Sequence, residues 1–88
     1  MTYGDFVRDC MKMALYKGGT YNIFVGKGRA RRWELMWNDV KIIVDTERNQ
    51  PTIIVGKTIY RSSWPLTYVY TKGHMEVEVA NGETLVLT

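Results

Sequence analysis

Lys17-Gly18-Gly19-Thr20-Tyr21-Asn22-Ile23-Phe24-Val25 is the stretch on which the fold turns. Ahead of the glycine pair, apolar residues recur with a helical period. Behind it, β-branched and aromatic residues take over. Glycine reaches the left-handed backbone region without a Cβ clash, so Gly18-Gly19 reads as a helix stop. Thr20 to Val25 then reads as a first strand.

Upstream of the stop, Tyr3, Phe6, Val7, Cys10, Met11, Ala14 and Leu15 follow the i, i+3, i+4, i+7 spacing of one buried helix face. Arg8, Asp9, Lys12 and Met13 are expected to point outward or sideways. Thr2 and Asp5 have the spacing of a capping box, and Asp5 and Lys17 suit the two ends of the helix dipole. The spacing predicts a helix over about 3–17.

Downstream, everything reads as strand and turn. Trp33, Leu35 and Trp37 alternate with Glu34 and Met36, Asn38-Asp39 makes a turn, and Val40, Ile42 and Val44 alternate with Lys41, Ile43 and Asp45. The polar stretch from Thr46 to Pro51 is a loop. A hairpin around Gly56-Lys57 pairs Val55 with Thr58, Ile54 with Ile59 and Ile53 with Tyr60. Its two apolar faces suggest a central position in a sheet. Leu66, Tyr68 and Tyr70 form a further strand that turns at Lys72-Gly73. Asn81-Gly82 is a strong hairpin signal, and a two-residue loop there pairs Val79 with Thr84 and Val77 with Val86.

These pieces predict an α+β fold: an N-terminal helix packed on a mostly antiparallel, strongly bent sheet or small barrel of about six to eight short strands. With 88 residues and no repeat, linker or low-complexity tract, the chain is expected to be one domain over 1–88, with strands and turns filling 20–88.

Composition narrows the setting. Apolar residues make up 45% and charged residues 24%, which suits a folded domain and not a disordered one. Cys10 is the single cysteine, so no intramolecular disulfide forms, and a reducing, cytoplasmic setting is expected. No apolar stretch approaches the ~20 residues of a membrane span. Met1 to Asp5 carries no basic region leading into an apolar run, so no secretory signal is expected.

Enzyme chemistry finds little footing. Cys10 falls on the buried helix face, where a small core residue is the simpler reading. His74 follows a turn with no nucleophile placed beside it, and Ser62 and Ser63 lie in no G-x-S-x-G elbow. His74, Glu76 and Glu78 share a strand face, yet the ends of such a run lie ~13 Å apart, too far to hold one metal ion. Gly26-Lys27-Gly28 lacks the third glycine and following helix of a dinucleotide fingerprint. No catalytic residue, metal or cofactor is expected.

Two surface features remain. The formal charge is +3, yet Lys27, Arg29, Arg31 and Arg32 supply four positive charges within six positions, leaving eight Lys and Arg against nine Asp and Glu elsewhere. With Trp33 and Trp37 close by, this segment has the ingredients of single-strand nucleic-acid binding: phosphates pair with the basic groups and bases stack on the rings. Tyr60, Arg61, Trp64, Tyr68 and Tyr70 are the residue types enriched at protein interfaces. Exposed sheet edges add the option of strand pairing between copies. The primary expectation is a non-enzymatic interaction module. It would bind a partner protein, including a nucleic-acid-handling one, as an inhibitor or adaptor of the kind small mobile elements encode, and it would be able to self-associate. The alternative is a DNA- or RNA-binding domain built on the basic segment.

Overall fold

The computed structural model describes residues 3–28, 30–48, 50–62 and 66–88. The stop at Gly18-Gly19 forms as the sequence requires. Gly18 has φ 73°. Its N–H donates to the Leu15 carbonyl at 3.1 Å, and the Gly19 N–H donates to the Ala14 carbonyl at 2.7 Å. This Schellman closure satisfies carbonyls that the helix leaves without partners. Gly19 is also needed for packing: a Cβ there would fall on the Met36 carbonyl oxygen and lie 2.8 Å from the Trp37 Cβ.

The helix, α1 (Tyr3–Tyr16), buries Phe6, Val7, Cys10, Met13 and Ala14. Two positions differ from expectation. Met13 is fully buried, whereas Leu15 is exposed. Met13 stands three residues from Cys10 and seven from Phe6, so it flanks Phe6 at one edge of the buried stripe, while Leu15 lies well beyond the opposite edge. Thr2, the expected cap, lies outside the described residues.

Among the described residues eight strands follow: β1 (Thr20–Val25), β2 (Arg31–Trp37), β3 (Val40–Asp45), β4 (Thr52–Val55), β5 (Thr58–Arg61), β6 (Tyr68–Thr71), β7 (His74–Glu78) and β8 (Thr84–Leu87). They form two antiparallel sheets, one of five strands in the order β1-β2-β3-β4-β5 and one of three in the order β6-β7-β8. The sheets do not close into a barrel. The Ser62 N–H donates to the Pro51 carbonyl at 3.0 Å and extends the β4–β5 register by one residue, and the contacts between the sheets begin at this point. The Ser62 hydroxyl donates to the Glu78 carbonyl at 3.1 Å. The Ala80 N–H donates to the Arg61 carbonyl at 2.8 Å. Isolated bonds of this kind join the sheets at a corner where a barrel would need a continuous ladder.

The hairpin at Gly56-Lys57 has the expected register, Val55 opposite Thr58, Ile54 opposite Ile59 and Ile53 opposite Tyr60. Its position is not central, however. β4 is an interior strand but β5 ends the sheet, and Ile59 is exposed on the outer face. An apolar pattern on both faces does not by itself reveal where a sheet stops.

The last hairpin differs by one residue. Val77 pairs with Leu85 and Met75 with Leu87. The Gly82 N–H donates to the Val79 carbonyl, and the Val79 N–H donates to the Glu83 carbonyl, each at 2.9 Å. Gly82 has φ 88°. The loop is therefore Ala80-Asn81-Gly82, a turn closed by a left-handed glycine bulge, and not a two-residue loop. One extra loop residue turns every side chain of β8 over. Leu85 and Leu87 now share the inner face with Met75 and Val77, while Val86 joins Glu76 and Glu78 outside. This register separates apolar from charged residues better than the two-residue loop would.

One core results. Leu35, Ile42 and Ile53 lie side by side across the inner face of the five-stranded sheet. The helix stripe and the inner face of the three-stranded sheet close over them, with Leu66, Met75, Val77 and Leu87 completing the cluster.

Candidate functional site

The aromatic residues expected to bind a partner are partly drawn into this core. Tyr68 and Tyr70 lie on the inner face of β6, opposite Val77 and Met75, and Tyr60 lies on the inner face of β5. All three are half-buried and packed against the core cluster. Tyr68 has a clear scaffold role. Its ring meets Phe6 edge-on at 5.0 Å, and its hydroxyl donates to the Asp9 carboxylate at 2.7 Å. Burial, reinforced by that hydrogen bond and the charge of Asp9, holds the phenol pKa well above its usual value. Arg61 is exposed, and with Tyr60 it borders an open pocket of about 180 Å3 that reaches Val79, Ala80 and Asn81. Tyr60 and Arg61 thus sit together, Tyr68 and Tyr70 sit in the other sheet, and Trp64 lies outside the described residues.

The most exposed apolar segment is instead β1. All six of its residues are exposed, including Tyr21, Ile23, Phe24 and Val25. It ends the five-stranded sheet and has no strand on its outer side among the described residues. Its backbone polarity can be read from neighbouring bonds. The Gly26 N–H donates to the Ala30 carbonyl at 2.9 Å, while the Arg31 carbonyl accepts from the Thr46 N–H on the opposite side at 3.0 Å. Antiparallel bonds alternate along a strand. Asn22 and Phe24 therefore direct their backbone groups to β2, and Tyr21, Ile23 and Val25 direct theirs to the free edge. A strand with an open row of donors and acceptors, apolar side chains on both faces and no charge is what strand addition requires. The sequence held this signal in the uncharged run Thr20 to Val25. What it lacked was the strand order that leaves the run on an edge.

No known protein family, curated protein or solved structure matches the chain.

The described residues of the basic segment do not share one face. Lys27 is exposed in the loop and Arg29 lies outside the described residues. Arg31 and Arg32 begin β2 and point to opposite faces, as strand alternation demands. Arg32 is paired with Glu34 at 2.9 Å, and Lys41 reaches the same carboxylate at 3.2 Å. Asp45 and Glu47 line a pocket of about 210 Å3 together with Arg31 and Arg32. Trp33 is half-buried against the core, and Trp37 is only 1% exposed. Trp37 therefore offers no ring face for stacking, because its strand position places it between the helix stop and the core. Its indole N–H has no hydrogen-bond partner among the described residues.

Cys10 is fully buried, and burial, with the nearby negative charge of Asp9, raises the thiol pKa well above its ordinary value. Such a thiol is a poor nucleophile. His74 and Glu76 lie 3.2 Å apart on the outer face of β7. Among the described residues no group of three His, Cys, Asp or Glu side chains is placed to hold a metal ion. No described helix is long and apolar enough to cross a membrane.

Proposed function

We propose that this chain is a non-enzymatic interaction module that binds a partner protein by strand addition along the free edge of β1. The observation that carries the reading is the six-residue, uncharged edge strand, exposed at every position, whose Tyr21, Ile23 and Val25 backbone groups face outward. Main-chain bonds along such an edge supply affinity, and alternating side chains supply selectivity. The Tyr60–Arg61 pocket is a second contact point, on the opposite edge of the same sheet.

The nucleic-acid reading has less behind it. Arg32 is engaged by Glu34, two acids share the pocket of Arg31 and Arg32, and Trp37 is enclosed. Affinity capture from nuclease-treated lysate separates the readings. Wild type, Ile23→Lys and the variant with Lys27, Arg29, Arg31 and Arg32 all changed to Ala are compared. Capture of a stoichiometric partner that Ile23→Lys loses and the basic-segment variant keeps supports strand addition. The reverse pattern, with recovery abolished by nuclease, refutes it.

A further inference from the structure

Resting on the Tyr60–Arg61 contact point and not on β1, we propose that the edge of β5 captures the free C-terminus of a partner protein. The captured segment runs parallel to β5 and ends with its carboxylate at Arg61.

Backbone polarity fixes what this edge can take. The Ser62 N–H donates to the Pro51 carbonyl, so Pro51 and Ser62 stand as a bonded pair. Bonded and non-bonded pairs alternate along the β4–β5 ladder, which makes Ile53–Tyr60 bonded and Ile54–Ile59 and Thr52–Arg61 non-bonded. Ile59 and Arg61 therefore turn their backbone groups away from β4. The Arg61 carbonyl accepts from the Ala80 N–H at 2.8 Å, as this polarity requires. Three groups stay open among the described residues: the Ile59 N–H, the Ile59 carbonyl and the Arg61 N–H.

A parallel chain end satisfies all three. In a parallel pair, a residue donates to the residue before its opposite number and accepts from the residue after it. The segment thus offers one carbonyl to the Ile59 N–H. Two residues on, it offers an N–H to the Ile59 carbonyl, and the C=O of that same residue meets the Arg61 N–H. The next N–H in the register would need the Arg61 carbonyl, which Ala80 already occupies. A segment that ends here, with its carboxylate on the Arg61 N–H, loses no bond. An antiparallel segment would set one residue to exchange both bonds with Arg61, and its N–H would find the carbonyl taken.

Charge and shape complete the choice. Arg61 is exposed and has no ion pair among the described residues, and no acid lines the pocket that it borders. A terminal carboxylate gains a charge-assisted bond there, whereas a segment continuing past the site presents a neutral amide. The terminal residue lies opposite Tyr60, so its side chain falls on the Tyr60 side of the edge, toward Val79 and Ala80 in the pocket of about 180 Å3. The preceding side chain falls beside Ile59, which is 55% exposed. These walls suit an apolar terminal residue.

The probe is acetylated Ala-Ala-Ala-Val with a free carboxylate, titrated into the isotope-labelled full chain by NMR, against the same peptide closed as an amide. Three backbone bonds and one charge contact give the free acid a dissociation constant on the order of 1 mM, and it shifts the Ile59 and Arg61 amide resonances. The amide binds about tenfold more weakly, and so does the acid to Arg61→Ala, while Arg61→Lys keeps part of the affinity. Resonances unchanged away from β5 show that Arg61→Ala folds. Ile23→Lys leaves the titration as in wild type. Equal binding of acid and amide, an acid that shifts neither amide at about 10 mM, or shifts confined to β1 overturns the proposal. The expected titration, beside partner capture that Ile23→Lys does not disturb, removes the β1 reading and leaves C-terminal capture standing.

Discussion

Truncating Leu87 and Val86 in turn tests the one-residue shift of the last hairpin. Leu87 is 2% exposed and opposes the fully buried Met75, whereas Val86 is 57% exposed and opposes Glu76. Leu87→Ala removes buried carbons from the core, a loss of about 2–4 kcal/mol. A domain of this size has roughly 4–13 kcal/mol of stability in all, so the loss is a large share. Val86→Ala removes mostly solvated surface and costs below about 1 kcal/mol, chiefly through strand preference. Urea denaturation followed by tryptophan fluorescence reads both variants. Leu87→Ala moves the midpoint down sharply with the slope unchanged, equivalent to a melting-point drop of ~10–25 °C. With a two-residue Asn81-Gly82 loop the ranking would invert, because Val86 would face the core and Leu87 the solvent. A Val86→Ala cost equal to or above that of Leu87→Ala refutes the observed register.

Further outcomes follow from other contacts. Tyr68→Phe removes the hydroxyl that donates to Asp9 and costs about 1–2 kcal/mol by the same denaturation assay. The raised Tyr68 pKa stabilises the fold fully below the unfolded value of about 10 and loses that contribution as pH rises toward the folded value, so Tyr68→Phe flattens the alkaline fall in stability. Cys10 resists iodoacetamide at pH 8 under native conditions and reacts fully in denaturant; fast native labelling would show that the helix face is open. Gly18→Ala meets no neighbour and costs about 1 kcal/mol for its left-handed backbone, whereas Gly19→Ala collides with the Met36 backbone and costs about 3 kcal/mol, an order that melting curves will check.

Much of the fold was legible in the residues. Gly18-Gly19 marks the change of period, and Gly56-Lys57 sets its hairpin register, because both depend on local backbone chemistry. The helix stripe was legible in outline, though Met13 and Leu15 exchanged roles at its margins. The last hairpin was not, because Asn81-Gly82 serves a two-residue loop and a three-residue bulged loop equally well. The choice is made by where Leu85 and Leu87 find the core. The candidate site was harder still. Tyr60, Tyr68 and Tyr70 look like interface residues by type, but their inner-face positions draw them against the core. Arg32 looks free in sequence until β2 brings Glu34 beside it. The run Thr20 to Val25 declares itself a strand, yet only the strand order makes it an edge.

Amide hydrogen exchange along β1 tests most directly whether its free edge is the contact surface. In dilute solution Asn22 and Phe24, bonded to β2, should exchange slowly, and Tyr21, Ile23 and Val25 should exchange freely. With a captured partner bound, those three amides should gain protection while Asn22 and Phe24 change little. Amides at Tyr21, Ile23 and Val25 that stay unprotected in every complex, or that are already protected in the dilute monomer, would contradict a contact through this edge.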